Sequence, residues 1–302
     1  MNRLLKWNSQ RQFGLEYEFT NRSNDLNRMA EIVYSLTNQS ATVRNYGHTH
    51  GNHDRWECKP DSSCGTELVS PILKGPAALK IAAEILPGLQ SADFCFGTTC
   101  GQHVHVEIAD FSSEQAGILA AYWMKVERFI LNGTPVHRRQ NQYCKLLTHF
   151  NSNINPTQQY APTHVFTSMT RGRNAINFQN WNATSGGTVE FRFGEMTFDP
   201  EVIKNRVRFL IWLVEMCKIL PPPQNLKWMT PKETLSIFNL WDDPTSMIKY
   251  QYSPAVQSMR KWMLARLIEH APPAFHRDVD RCRVMLEEIE HVELAQTSED
   301  EV

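Results

Sequence analysis

The chain has 302 residues, 41% hydrophobic and 21% charged, with a formal net charge of -1. That length holds one large α+β domain or two smaller ones, and the near-neutral charge excludes a general basic field for non-specific nucleic-acid binding. The opening Met-Asn-Arg-Leu-Leu-Lys-Trp-Asn lacks the apolar core of a leader, and no stretch reaches the roughly 18 apolar residues of a membrane helix, so a cytoplasmic protein is expected.

In chain order, residues 12–20 read as a strand and 25–38 as a helix capped by Asn24 or Asp25. Residues 41–56 hold Gly47, Gly51 and Asn52 among His48, His50 and His53, the composition of a hairpin or flexible loop. Nothing in the sequence fixes a zinc geometry for those three histidines. Two short strands follow between Trp56 and Val69 around a Ser-Ser-Cys-Gly turn, and Pro71 stops the second. Helical spacing returns over 76–90 and 113–132, the latter opening on the capping-box-like Ser112-Ser113-Glu114-Gln115, with a strand around His103 between them.

From Thr134 to Pro162 the chain is rich in Asn, Gln, Thr, Pro and Arg without a clear period, which predicts long loops lining a site. Strands follow at 171–179 and 188–193, then an amphipathic helix over 200–219 that Pro221-Pro222-Pro223 terminates. This proline run is the predicted boundary between a domain of residues 1–220 and a helical extension of residues 221–302. The extension reads as helices at 231–239, 254–270 and 278–294, with a short acidic tail, Thr297 to Val302, expected to be disordered. The seven cysteines are odd in number, scattered and never spaced Cys-x-x-Cys, which argues against both a disulfide framework and a zinc ribbon.

Three of the strands place ionisable side chains two residues apart: Glu16 and Glu18; His103, His105 and Glu107; Glu190 and Arg192. Alternate residues of a strand share a face, so each segment has a polar side and an apolar side. Asp61 and Glu67 add carboxylates beside a fourth. Taken singly each is ambiguous: Glu-x-Glu and Glu-x-Arg also describe solvated faces, His-x-His equally a polar surface, and Asp61-Ser62-Ser63 a turn. Their recurrence on several strands is what points to a site.

A set rich in carboxylate and poor in imidazole suits hard cations such as Mg²⁺ or Mn²⁺ better than Zn²⁺, and clustered cations imply a polyphosphate substrate. With neither a Gly-x-x-x-x-Gly-Lys loop nor a Gly-x-Gly-x-x-Gly turn present, phosphate would rest on metals and arginines. Arg138, Arg139 and Tyr143, and also Arg171, Arg173 and Asn177, are candidates for holding a substrate carboxylate or phosphates, ordinary surface placement being the alternative. Cys100, three residues before His103, is a poor nucleophile candidate because positions i and i+3 of a strand face opposite ways.

Four segments, Phe13-Gly14-Leu15-Glu16-Tyr17-Glu18-Phe19, Trp56-Glu57-Cys58-Lys59-Pro60-Asp61-Ser62 through Glu67-Leu68-Val69-Ser70-Pro71, Cys100-Gly101-Gln102-His103-Val104-His105-Val106 and Gly187-Thr188-Val189-Glu190-Phe191-Arg192-Phe193, resemble the amidoligase family. This family is grouped with glutamine synthetase and glutamate-cysteine ligase among the carboxylate-amine ligases, and the resemblance runs over residues 12–215. It implies an α+β fold in which a curved antiparallel sheet forms a funnel holding ATP and roughly two or three Mg²⁺ (or Mn²⁺) ions. By motif position it implies Glu16, Glu18, Asp61, Glu67 and Glu190 as metal ligands, His103 as a metal or ATP-phosphate contact, and Arg192 as a γ-phosphate contact.

Glu190, His103 and Arg192 are thereby the expected catalytic set. His105, Arg171, Arg173 and Asn177 join Glu16, His103 and Arg192 as expected nucleotide-site residues. The implied activity is ATP-dependent joining of a small-molecule or peptide carboxylate to an amine through an acyl phosphate. A small-molecule kinase on the same fold and a non-catalytic nucleotide- or metal-binding module are the alternatives. The last 80 or so residues carry no motif of the family.

Overall fold

The computed structural model describes residues 3–5, 7, 10–20, 25–45, 54–147, 174–182, 184, 186–240 and 250–299. It is a mixed α+β protein built around an open, mostly antiparallel sheet of nine strands. The strands are β2 (Gln12–Thr20), β3 (Ala41–Val43), β4 (Trp56–Asp61), β5 (Gly65–Val69), β6 (Leu73–Lys74), β7 (Gly101–Glu107), β8 (Ile176–Asn177), β9 (Trp181–Asn182) and β10 (Gly186–Glu195). Their order is β3-β4-β5-β2-β7-β10-β8, with β6 beside β2 and β9 beside β10. Among the described residues, only β3 and β4 run parallel within this sheet.

The alternation legible in the sequence decides which face is covered. Phe13, Leu15, Tyr17 and Phe19 of β2, Val104 and Val106 of β7, and Val189 and Phe191 of β10 are buried, each stabilising the fold by about 1.5–3 kcal/mol. Helices α2 (Gly75–Ser91), α3 (Ser113–Asn132) and α5 (Pro200–Ile219) cover this side. The Tyr17 hydroxyl donates to the Ala82 carbonyl of α2 at 2.8 Å, and the Trp123 ring of α3 lies 5.3 Å from that of Phe191. Helix α1 (Leu26–Thr37) starts at Asp25, whose carboxylate accepts from the Arg28 amide at 2.9 Å. It buries Met29 and Val33.

Two features of the sheet bear on its other face. Strand β10 slips register against β7 between Phe191, opposite Val104, and Gly194, opposite Gln102. The extra residue makes a bulge at Arg192–Phe193, a device that re-aims a side chain. Gly194 is required there because an added Cβ would lie 2.8 Å from Arg206 Nη1 and 2.9 Å from the Gln102 carbonyl.

Beyond α5 come α6 (Pro231–Ile237), β11 (Tyr250–Tyr252), α7 (Pro254–His270), a 3₁₀ turn (Pro273–Phe275) and α8 (His276–Glu299). Strand β1 (Arg3–Leu5) pairs in parallel with β11, and α7 packs on both α5 and α8. Under the sheet, Glu195 at the end of β10 meets Arg206 of α5 at 2.8 Å and Arg266 of α7 at 2.5 Å. All seven cysteines are free, as their spacing predicts. Among the described residues no helix is long and apolar enough to cross a membrane.

Three stretches differ from expectation. Residues 41–43 form an edge strand rather than loop, because Thr42 and Val43 suit extended backbone and find a partner in β4. The histidines at 48, 50 and 53 lie outside the described residues. Helix α8 continues through Glu299, so the first three residues of the acidic tail are helical; the preceding Glu-Leu-Ala-Gln run favours propagation over fraying. In place of the first part of the predicted 134–162 loop stands a short helix, α4 (Val136–Arg139).

Candidate active site

Because β2 lies between β5 and β7, its two glutamates meet partners on both sides. Glu16 stands opposite His103 and Glu18 opposite Glu67. One strand further on, His105 stands opposite Glu190, and Glu190 opposite Asn177 of β8. At the other end Glu67 faces Lys59 of β4. Side chains paired across a ladder share a face, so β2, β4, β5, β7, β8 and β10 converge on one surface.

The His103 ring sits at the centre. Its Nδ1 is 2.8 Å from Glu16 and 3.5 Å from Glu190, and its Nε2 is 3.4 Å from Glu18. His105 Nε2 contacts the second Glu16 oxygen at 3.0 Å, and its Nδ1 lies 3.4 Å from the Thr188 hydroxyl. Glu190 binds the Arg192 guanidinium and accepts from Asn177 Nδ2 at 3.0 Å. Arg192 also donates through Nε to the Tyr143 carbonyl at 3.3 Å. Glu18 accepts the backbone N–H of Gly101.

The electrostatics divide these carboxylates. Burial would raise the Glu16 pKa, yet the two imidazoles hold it well below the usual range. Glu67 is pushed well above that range by burial and by the Glu16 charge, against the pull of Lys59. Burial opposes a charged His105, but Glu16 and Glu190 raise its pKa nonetheless. Likewise Arg192 is raised by Glu190 and Glu16 in spite of its burial.

The remaining predicted residues separate by role. Asp61 accepts from the Ser63 amide at 2.7 Å and the Cys64 amide at 3.0 Å, so its Oδ1 closes the β4–β5 turn while the side chain stays near Glu18. Arg138 is 1% exposed and does not meet solvent. Its guanidinium fills the space a Cβ at Gly101 would take and holds the Arg192 carbonyl at 2.6 Å, which steadies the bulge from below. Arg139 fastens the ends of α3 and α7 through the Asn132 carbonyl at 3.4 Å and the His270 carbonyl at 2.8 Å.

Tyr143 meets the site through its backbone carbonyl. Arg171 and Arg173 fall outside the described residues. Cys100 is held near 7 by the adjoining Cys64 thiol and accepts from the Gly97 amide at 3.4 Å; it has no histidine base among these contacts. Lys59 is the site residue that the sequence reading passed over, with its Nζ 2.7 Å from Glu67. The signal was present, since Lys59 lies two residues before Asp61 on the same strand.

This donor set fits divalent cations. Three groups, Glu16/His105/Glu190, Glu16/Glu67/His103 and Glu18/Asp61/Cys64, each place one ligand atom per residue within 4.8 Å of the others. Carboxylates outnumber the permanent cations Lys59 and Arg192 on this face, and Glu67 already resists ionising. Crowded acids of this kind, with oxygen donors dominant, suit Mg²⁺ or Mn²⁺.

The sequence profile of the family described as "Putative amidoligase enzyme" matches residues 9–214, a span that contains every residue of this cluster. The chain belongs to the amidoligase family. No curated protein matches it. Among solved structures, the ligase PafA in complex with the prokaryotic ubiquitin-like protein Pup is similar with a TM-score of 0.38 and 14% identity, over 95% of this chain and 66% of that one. The chain thus spans just under two thirds of that ligase chain, a likeness too distant to carry fold or activity across. Within the matched span, the acids of this cluster come from β2, β4, β5 and β10 and its imidazoles from β7.

Proposed function

We propose that this protein is an ATP-dependent carboxylate-amine ligase that forms an amide by way of an acyl phosphate. The observation that carries the reading is the convergence of Glu16, Glu18, Glu67 and Glu190 around His103 on one open sheet face, with Arg192 beside Glu190. Membership of the amidoligase family supports it. In this reading the open face is the wall of a funnel. Residues 1–220 are the catalytic domain and residues 221–302 an extension that braces it.

A carboxylate is a poor electrophile and must be activated. One of its oxygens attacks the γ-phosphorus of ATP, the bond to ADP breaks, and the carboxylate becomes an acyl phosphate. The amine nitrogen then attacks the acyl carbon, phosphate departs with the electron pair, and the nitrogen loses a proton. Glu16, Glu18, Asp61, Glu67, Glu190 and His103 would hold roughly two or three Mg²⁺ or Mn²⁺ ions. When bound, such ions neutralise phosphate oxygens.

The chain's own groups supply position and charge. Arg192, re-aimed by the bulge and kept cationic by Glu190 and Glu16, offers a planar fork to the γ-phosphate. Asn177 keeps Glu190 oriented. His105 steers Glu16 from one side while His103 steers it from the other. Arg171 and Arg173 complete the proposed nucleotide contacts. The substrates are a small-molecule or peptide acid and an amine.

The test is ADP release over pooled acids and amines, with products read by mass spectrometry, for the wild type and for Glu16→Ala and Glu190→Ala. The expected result is release that requires both an acid and an amine in the wild type and is lost in both variants. Variants that melt like the wild type and still turn over ATP at its rate overturn the assignment.

A further inference from the structure

Lys59 carries an inference that the family motifs do not. Glu57, Lys59 and Asp61 alternate along β4 with the buried Trp56 and Cys58, which puts Lys59 on the acidic face. It faces Glu67 in register, and its Nζ lies 2.7 Å from Glu67 Oε2. Next along the strand, Arg44 neutralises Glu57 at 2.9 Å. The Glu67 carboxylate is nearly buried, with a side-chain exposure of 7% against 28% for Lys59.

The same Glu67 belongs to the group in which it, Glu16 and His103 bring ligand atoms within 4.8 Å of one another. An ammonium and a divalent cation at one carboxylate repel each other strongly at such distances. The lysine stem is flexible and partly exposed, so the ammonium is the group free to move. Mg²⁺-type ions on carboxylates complete their coordination with substrate phosphates, so the anion arriving with the metal at Glu67 is a phosphate.

We propose that Lys59 is a displaceable counter-cation. It neutralises Glu67 in the metal-free protein, leaves it when a divalent cation takes that carboxylate, and turns its ammonium to a phosphate oxygen of the incoming substrate. The identity of that anion rests on the ligase reading, whereas the displacement rests on the Lys59–Glu67 pair and on the ligand group that Glu67 forms with Glu16 and His103.

The experiment measures Mn²⁺ binding without nucleotide, by electron paramagnetic resonance, and then pyrophosphate binding to the Mn²⁺-loaded protein by calorimetry. Lys59→Met is expected to bind Mn²⁺ about tenfold tighter and pyrophosphate about tenfold more weakly than wild type. Lys59→Arg, whose fork grips a carboxylate at two points, is expected to weaken Mn²⁺ binding about tenfold, and it tests the idea if the Met variant fails to fold. Mn²⁺ affinity that is unchanged or lower in Lys59→Met, or unchanged in Lys59→Arg, overturns the proposal and makes Lys59 a strut for Glu67. Unchanged pyrophosphate affinity in Lys59→Met overturns the second half. A wild type that takes up no Mn²⁺ instead ends the metal-centre reading itself.

Discussion

Replacing Glu195 by Gln removes the carboxylate that two arginines share beneath the sheet, and leaves Arg266 its longer carboxylate contact with Glu269 at 3.6 Å. Glu195 closes β10 and is buried. Its Oε2 lies 2.8 Å from Arg206 Nη2 and its Oε1 2.5 Å from Arg266 Nη2. Arg206 is 1% exposed, and it also donates to the Gln102 side chain and to the Glu195 carbonyl at 2.9 Å. Burial already depresses the Arg206 pKa, Glu195 opposes that effect, and Arg266 and Arg138 add to it. Breaking such a buried pair by removing one partner costs about 3–5 kcal/mol, because the charge left behind is uncompensated.

For a chain of 302 residues, an unfolding entropy of about 2.1 cal/mol/K per residue amounts to roughly 0.6 kcal/mol/K, so Tm falls by about 5–8 °C. Calorimetric melts read the shift, and urea unfolding should show a lower midpoint at unchanged slope. The triple variant Glu195→Leu, Arg206→Met, Arg266→Met should recover most of the loss, since it leaves no buried charge of this set unpaired and the exposed Glu269 loses only a 3.6 Å contact. A Tm for Glu195→Gln within about 1 °C of wild type would refute the reasoning.

Three further outcomes follow from the same geometry. Burial and the Glu16 charge raise the Glu67 pKa, so below its folded value protons compete with a cation for that carboxylate; Mn²⁺ affinity, read by electron paramagnetic resonance, should climb with pH as Glu67 ionises beside Lys59, and Glu67→Gln should flatten the climb. Burial lowers the His105 pKa, but Glu16 and Glu190 outweigh it and raise it above the ordinary 6.5. Its stabilisation of the metal-free protein is therefore present below pH 6.5 and lost as pH rises through the folded value, and chelator-treated His105→Gln should lack that slope. Gly187 has a φ of +134° and an added Cβ would lie 2.0 Å from the Asn180 carbonyl, so Gly187→Ala should cost about 3 kcal/mol or more; a urea midpoint like that of wild type contradicts this.

Much of the site was legible because strand alternation is a local property. Glu16 and Glu18 had to share a face, as did His103 and His105, with Phe13, Leu15 and Tyr17 or Val104 and Val106 turned the other way. Helix limits were equally local: Asp25 and Ser112 cap where short polar side chains precede apolar periodicity, and the triple proline follows the end of α5 at Ile219. Arg138 and Arg139 read alike in sequence, yet one is sealed beneath the Arg192 bulge and the other fastens two helix ends. Nothing in a run of polar residues distinguishes those fates, because burial depends on distant partners.

The sequence by itself therefore determined which side chains point the same way, and the carboxylate-rich chemistry they would share. Only the tertiary structure decided who meets whom. It placed β2 between β5 and β7, so that Glu16 answers His103 and Glu18 answers Glu67. It set Lys59 against Glu67, slipped one residue at Arg192, and tied β1 to β11 across the length of the chain. The physical reason is that alternation follows from backbone geometry within a segment, whereas strand order and register follow from how separate segments bury their apolar faces together.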